Sequence, residues 1–272
     1  MRLALKYFFL LFFTLSIVPG CFTQYKTELE QQKLKSIPDI ISYSKNYDGH
    51  LQGLASDFDN FIFWSHTKQL VKTDLTGNIL KVIDVPFHHG DLEFYKGQIF
   101  VAVNFGKFNE EPGLADSWVH VYNADDLSFS KKYPVPEVVH GAGGIAIHDE
   151  KVMIVGGLPE DGNYDVNFIY EYNLSFNLQK IHELASGFTY KGIQTACYFK
   201  DYWYFACYGN LEKGYFPKVL KVKENNNDDL ELIQSFDVDM SYGMIGLKGD
   251  EFLFSNRNLD STLRKSSLFS FK

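Results

Sequence analysis

Along this chain one pattern of apolar and polar positions returns five times. The copies read HLQGLASDFDNFIFWS, HHGDLEFYKGQIFVAV, GAGGIAIHDEKVMIVG, KGIQTACYFKDYWYFA and SYGMIGLKGDEFLFSN. With Leu54, Leu92, Ile145, Thr195 and Ile245 set in one column, the residues seven positions on are Phe61, Ile99, Val152, Tyr202 and Phe252. Each copy alternates as a strand, breaks at a tight polar turn and resumes as a second strand. Successive columns lie 38, 53, 50 and 50 residues apart. A hairpin repeated at this period predicts the blades of a β-propeller.

Two further strands follow most hairpins. In the first unit the pattern predicts Leu70 to Asp74 and Ile79 to Val85, in the second Trp118 to Tyr122 and Leu127 to Val135. The third unit supplies Phe168 to Tyr172 and Leu178 to Leu184, and the fourth Val219 to Val222 and Leu230 to Phe236. The fifth unit has room for a third strand at Leu268 to Phe271 and then the sequence stops. The apolar segment Ile37 to Tyr43 has no partner of its own, and docking it there would close the ring and remove two open edges. The expected fold is therefore all-β: a five-bladed propeller of four-stranded blades over residues 37–272, its last blade completed by the N-terminal strand.

Charge narrows the partners. The formal net charge of −8 argues against a nucleic-acid or anionic-membrane surface, which would need basic patches. Aromatic residues make up 17% of the chain, suited to filling flat spaces between sheets. Residues 1–20 read as an export signal: Arg2 and Lys6, an apolar stretch from Tyr7 to Val18, then Val18-Pro19-Gly20-Cys21, which resembles a bacterial lipoprotein signal. Lipidation of Cys21 would leave residues 21–36 as a polar tether and place the domain, as a monomer, in the cell envelope; ordinary secretory cleavage is the alternative. Cys197 and Cys207 lie on paired strands about three positions out of register, too far apart for a disulfide.

In a propeller the residues ahead of each first strand ring the mouth of the central channel. Those positions hold His50-Leu51-Gln52-Gly53, His88-His89-Gly90-Asp91, His140 with Gly141 to Gly144, Lys191 to Gln194, and Ser241 to Met244. Half of the eight histidines fall there, on three consecutive blades. His50, His88, His89 and His140 suit a divalent metal (Zn, Mn, Fe or Cu), with Gln52, Asp91 and Gln194 nearby. The competing reading is that rim histidines satisfy backbone groups or bind channel water. Long polar loops on the same face, including Asn104 and Arg257, mix amides, aromatics and charge as a saccharide pocket does. Tyr242 and Lys191 are candidates for acid and base. No phosphate-binding loop, dinucleotide fingerprint or nucleophile elbow is present in the sequence.

Gln52-Gly53-Leu54 resembles the TQGL motif of the bacterial and plant-type glutaminyl cyclotransferases. Asp91-Leu92-Glu93, followed by Gly97-Gln98-Ile99-Phe100, resembles their NELE-x-x-x-G-x-I-Y segment. The resemblance covers about two blades and implies an exported five-bladed propeller. Three active-site residues of that family do not carry over: its second-strand Glu aligns near Trp64, its NELE Asn near Gly90 and its later Lys near Leu158. The spacing also resembles NHL and YWTD propellers. The residues thus lead to a metal-assisted lyase or hydrolase acting on an extracytoplasmic saccharide. The alternative is a propeller that binds a ligand or an envelope partner without turnover.

Overall fold

The structure is a computed structural model that describes residues 37–44, 49–161 and 163–270. The signal and tether segments, Cys21 among them, lie outside the described residues. Blade 1 comprises β2 (Leu51–Ser56), β3 (Phe61–His66), β4 (Gln69–Asp74) and β5 (Ile79–Asp84). Blade 2 comprises β6 (His89–Tyr95), β7 (Gln98–Asn104), β8 (Ser117–Asn123) and β9 (Phe129–Pro134). Blade 3 runs through β10 (Ala142–His148), β11 (Lys151–Gly156), β12 (Asn167–Asn173) and β13 (Leu178–Leu184). Blade 4 is built of β14 (Tyr190–Phe199), β15 (Tyr202–Tyr208), β16 (Lys218–Glu224) and β17 (Leu230–Phe236). Blade 5 contains β18 (Met244–Gly246), β19 (Glu251–Phe254) and β20 (Thr262–Ser267), and β1 (Ile40–Ser42) is its outermost strand. All five sheets are four-stranded and antiparallel, as the repeat predicts.

The third strand of blade 5 corrects the sequence reading. It is Thr262–Ser267, and Leu268–Ser270 is a turn of 3-10 helix. In Thr-Leu-Arg-Lys-Ser-Ser only Leu263 is buried, so the strand carries almost no apolar signal. Leu268 is apolar for a different reason: it packs into the core between blades 4 and 5. The closure itself stands, with Ile40 opposite Arg264, Ile41 opposite Leu263 and Ser42 opposite Thr262. Lys265 reinforces it, donating its Nζ to the Ile37 carbonyl and to Asp39.

The core is divided into five apolar clusters, one between each pair of neighbouring blades. The cluster between blades 5 and 1 takes Ile37, Ile41 and Tyr43 from the N-terminal segment, so the closing strand is glued by packing as well as by its ladder. Aromatic rings fill these wedges: Phe63 of blade 1 stacks on Phe94 of blade 2, centroids 5.9 Å apart. Cys197 lies opposite Tyr204 and Cys207 opposite Ile193; both thiols are free and buried.

Around the axis the inner strands approach closely. A Cβ on Gly53 would sit 2.1 Å from Asp91 Oδ1, and one on Gly90 would sit 2.5 Å from the Gly143 carbonyl. Glycine is what lets these backbones meet. Four inner strands also carry an irregular register at their starts, at Leu51/Gly53, His89/Leu92, Ala142/Gly144 and Tyr190/Ile193. Such bulges re-aim side chains next to a sheet's end, and here they lie at one rim of the channel.

Candidate functional site

The inner strands all start on one face, the top, and the turns joining them to the second strands lie on the bottom. At the top, just ahead of and within the bulge of β2, His50 and Gln52 meet His88 of the next blade. The Gln52 side-chain nitrogen is 2.8 Å from His50 Nε2 and 3.2 Å from His88 Nε2, and it reaches Thr67 Oγ1 at 3.3 Å. With the amide donating, both imidazoles accept through Nε2 and hold their protons on Nδ1. With the amide turned over, its oxygen would accept from two Nε2–H groups. Burial, with a smaller push from His50, holds the His88 pKa down to about 4, so this ring is neutral at physiological pH.

Two aromatic side chains wall this cluster. The Tyr242 ring lies 4.8 Å from that of His50, tilted by 30°, and the Phe108 ring lies 4.9 Å from that of His88. Burial raises the Tyr242 pKa above its ordinary value against the opposing pull of Arg257, so the phenol keeps its proton: it can donate that proton or act as an acid while its oxygen accepts from Arg257. Tyr208 packs edge-on to Tyr242 at 6.2 Å and its phenol is likewise pushed up by burial. Arg257 is exposed beside this pair.

Phe108 is also the wall of a neighbouring top-face cavity of about 450 Å³, lined by Asn109, Glu110, Glu160, Asp161 and Lys191 among others. Lys191 is tied down there: its ammonium is 2.9 Å from Glu160 Oε1, and Lys213 takes the other oxygen at 2.7 Å. Gln194 donates to the Lys191 carbonyl at 2.7 Å.

The remaining rim residues go elsewhere. His89 is fully buried, its Nδ1 at 2.8 Å from the Pro86 carbonyl and its Nε2 at 2.8 Å from the Tyr122 hydroxyl. His88 lies just outside β6 and His89 is its first residue, and the two side chains go to different partners. His140 donates Nδ1–H to the Glu110 carbonyl at 2.8 Å and packs against Tyr164 and Phe168. Asn104 spends its amide within its own loop, accepting from Gly106 and Asp116 and donating to Lys107. Asp91 turns into the channel and accepts from the Ala196 backbone at 2.9 Å. The structure thus gathers His50, Gln52, His88 and Tyr242, with Arg257 beside Tyr242, and does not bring His89, Asn104 or Asp91 to that point. Among the described residues no three His, Cys, Asp or Glu side chains form a metal-holding group.

Phe108, Tyr208 and Thr67 were not singled out from the sequence. Phe108 sits inside a long loop whose path the pattern does not define, and Tyr208, which the sequence places at the start of the top-face loop Tyr208 to Phe216, is the last residue of β15. Both are aromatic and next to polar rim positions, which is the signal available for them.

No protein-family model matches the chain, and no curated protein matches it. Solved structures do. The glutaminyl cyclase of Myxococcus xanthus superposes with a TM-score of 0.59 at 10% identity, covering 84% of this chain and 94% of that one. A protein of unknown function from Bacteroides caccae gives 0.51 at 12% identity, covering 79% and 73%. At such identities the likeness is one of fold. The positions compared with cyclotransferase motifs agree: Trp64 is wholly buried with its indole N–H on Thr73 Oγ1 at 3.0 Å, and Leu158 is buried too.

Proposed function

We propose that the protein is an exported, envelope-anchored propeller that captures a hydroxyl-rich small molecule, of the saccharide class, at the His50–Gln52–His88 cluster. The observation that carries this reading is the single Gln52 amide shared by two imidazoles from adjacent blades, set between the rings of Tyr242 and Phe108. Imidazole and amide groups both donate to and accept from hydroxyls, and flanking rings suit the apolar face of a sugar. Arg257 and Tyr208 extend the surface on the blade 5 side, and the cavity beyond Phe108 gives a longer ligand room to continue.

A second reading draws on the same geometry. Two Nε2 atoms converging on one point are a start for a divalent ion, with Gln52 turned over to offer its oxygen. A metal there would polarise a bound substrate oxygen for a lyase or hydrolase, with Tyr242 holding a proton for the leaving group.

Binding of an oligosaccharide panel to the purified protein, followed by calorimetry, tests the first reading. His50→Ala, Gln52→Ala and His88→Ala should each weaken the best ligand at least about tenfold, the loss of one or two charge-free hydrogen bonds. A panel with no hit, or a hit indifferent to all three substitutions, overturns it. Elemental analysis tests the second: one metal per chain, lost in His50→Ala and His88→Ala, supports it.

A further inference from the structure

The opposite mouth of the channel holds a second cavity, of about 170 Å³, formed by the lower ends of all five inner strands. Its one carboxyl group is that of Glu93 on β6, beside Ser56, His148 and Tyr198, and Asp91 lies two residues earlier on the same strand. Glu93 Oε1 accepts from the Phe94 backbone N–H at 2.9 Å. Phe58, Phe94 and Tyr198 form part of its wall. Phe94 is held by its stack on Phe63, and Tyr198 by a 3.5 Å stack on His148 and an edge contact with Trp203, so this wall is set before any ligand arrives. Phe58, 41% exposed, stands at the opening.

Among the described residues no Lys or Arg lines the cavity. Deeper on the axis Asp91 is 1% exposed, and its Oδ1 has no hydrogen-bond partner. Two carboxyl groups thus lie one above the other in a channel whose lower well offers aromatic faces and no cation. That is the complement of a positively charged group: a carboxylate for the charge, ring faces for cation–π attraction, and a narrow well that excludes bulky anions.

From this geometry we infer that the bottom well is a binding site for a small organic cation, an alkylammonium whose head pairs with Glu93 and whose stem lies against Phe58, Phe94 and Tyr198. The site is separate from the top-face cluster and does not depend on its ligand.

Proton balance follows from the surroundings of Glu93. Burial lifts its pKa to about 8. The ionisable groups packed around it are Asp91 on its own strand, Cys197 on β14, and His148 and Tyr198 at the mouth. Burial holds the Asp91 carboxyl and the Cys197 thiol well up, which favours their uncharged forms. In the adjoining groove Lys200 reaches Asp250 at 4.0 Å, and Asp57 and Asp59 add negative charge. Pairing with an ammonium therefore requires the Glu93 carboxylic acid to release one proton to solvent. Affinity should rise with pH up to about 8 and level off, until the amine itself loses its proton near 10.4.

The test uses the whole chain and n-butylammonium chloride, with n-butanol and sodium chloride at equal concentrations as controls. Calorimetry at pH 6.5 in two buffers of different ionisation heat should show binding of n-butylammonium, close to one proton released per ligand, and affinity roughly tenfold higher at pH 8. Glu93→Gln keeps the shape and should abolish both binding and proton release, while His88→Ala on the top face should leave them unchanged. Phe58→Ala, at an exposed position, serves as a second variant should Glu93→Gln not fold, and should weaken binding about threefold to tenfold. Equal binding of n-butanol, a ligand insensitive to Glu93→Gln and Phe58→Ala, or no binding up to about 100 mM (a Kd equivalent to about 1.4 kcal/mol of affinity) would overturn the inference.

Discussion

The Asp91 carboxyl group of blade 2 accepts a hydrogen bond from the backbone N–H of Ala196 in blade 4, at 2.9 Å and 105 residues away in sequence. These two blades are not neighbours; blade 3 lies between them. The bond therefore crosses the channel and ties together inner strands that share no ladder. Burial holds the Asp91 carboxyl well above the usual carboxylate range and favours its protonated, neutral form.

A neutral carboxylic acid has a close isostere in an amide. Asp91→Asn should therefore cost no more than about 1 kcal/mol, whereas Asp91→Ala should cost about 2–4 kcal/mol by losing the cross-channel bond and opening a void. Urea denaturation of both variants decides it. Equal destabilisation by Asn and Ala would mean that Asp91 is ionised.

Ring closure can be tested within one strand. Ile41 is 1% exposed and packed in the core between blades 5 and 1, while its neighbour Ile40 is 59% exposed. Ile41→Ala should destabilise by about 2–4 kcal/mol and Ile40→Ala by less than about 0.5 kcal/mol. Deleting residues 37–44 should leave β20 as an open edge and produce aggregation on size-exclusion chromatography.

Stability should pass through a maximum near pH 6. Burial pushes His89 down to about 3 and His88 down to about 4. Unfolded imidazoles near 6.5 bind protons that the folded ones refuse, so stability is lost as pH falls below about 6.5. Glu93 works the other way: pushed up to about 8, it holds in the folded state a proton that the unfolded carboxyl gives up near 4.5. Stability therefore falls as pH rises from about 4.5 to about 8 and is flat above that. Thermal melts from pH 4 to pH 9 should show both limbs. Asp91, also held up by burial, adds to the alkaline limb, so Glu93→Gln should reduce that limb without removing it and gain on the order of 1–3 kcal/mol at pH 8.5. A wild-type melting temperature that climbs between pH 6 and pH 8.5 would contradict this.

Export and anchoring are tested in a bacterial host. Labelled palmitate should enter the wild-type protein and not Cys21→Ser, which should leave the membrane fraction. A wild-type protein that is unlabelled and freely soluble would point to plain secretion.

Most of the fold was legible because inner strands cannot hide their pattern. Leu54, Leu92, Ile145, Thr195 and Ile245 all sit on buried strands next to the axis, where packing leaves little choice of residue. Outer strands have more freedom: β20 shows the core only Leu263, and its pattern could not announce a strand. At the site, position along the chain placed His50 and His88 at the rim. It could not tell that His89, one residue on, turns to Tyr122, because which way a strand faces depends on where the bulge falls. Glu93 was visible as a sequence motif; its enclosure depends on the lower ends of five strands converging, which no single segment encodes.

The closing strand also sets the polarity of the whole particle. β1 runs antiparallel to β20, which descends from the top face, so the chain enters the domain at Ile37 from below and climbs toward Ser42. β20 leads down to Leu268–Ser270 at that same lower face. Both ends of the described chain thus lie on the lower face, at the outer edge of blade 5, like stalks at the rim of a wheel's underside. An attachment made through the chain ahead of Ile37 would start from the lower face, opposite the His50–Gln52–His88 mouth.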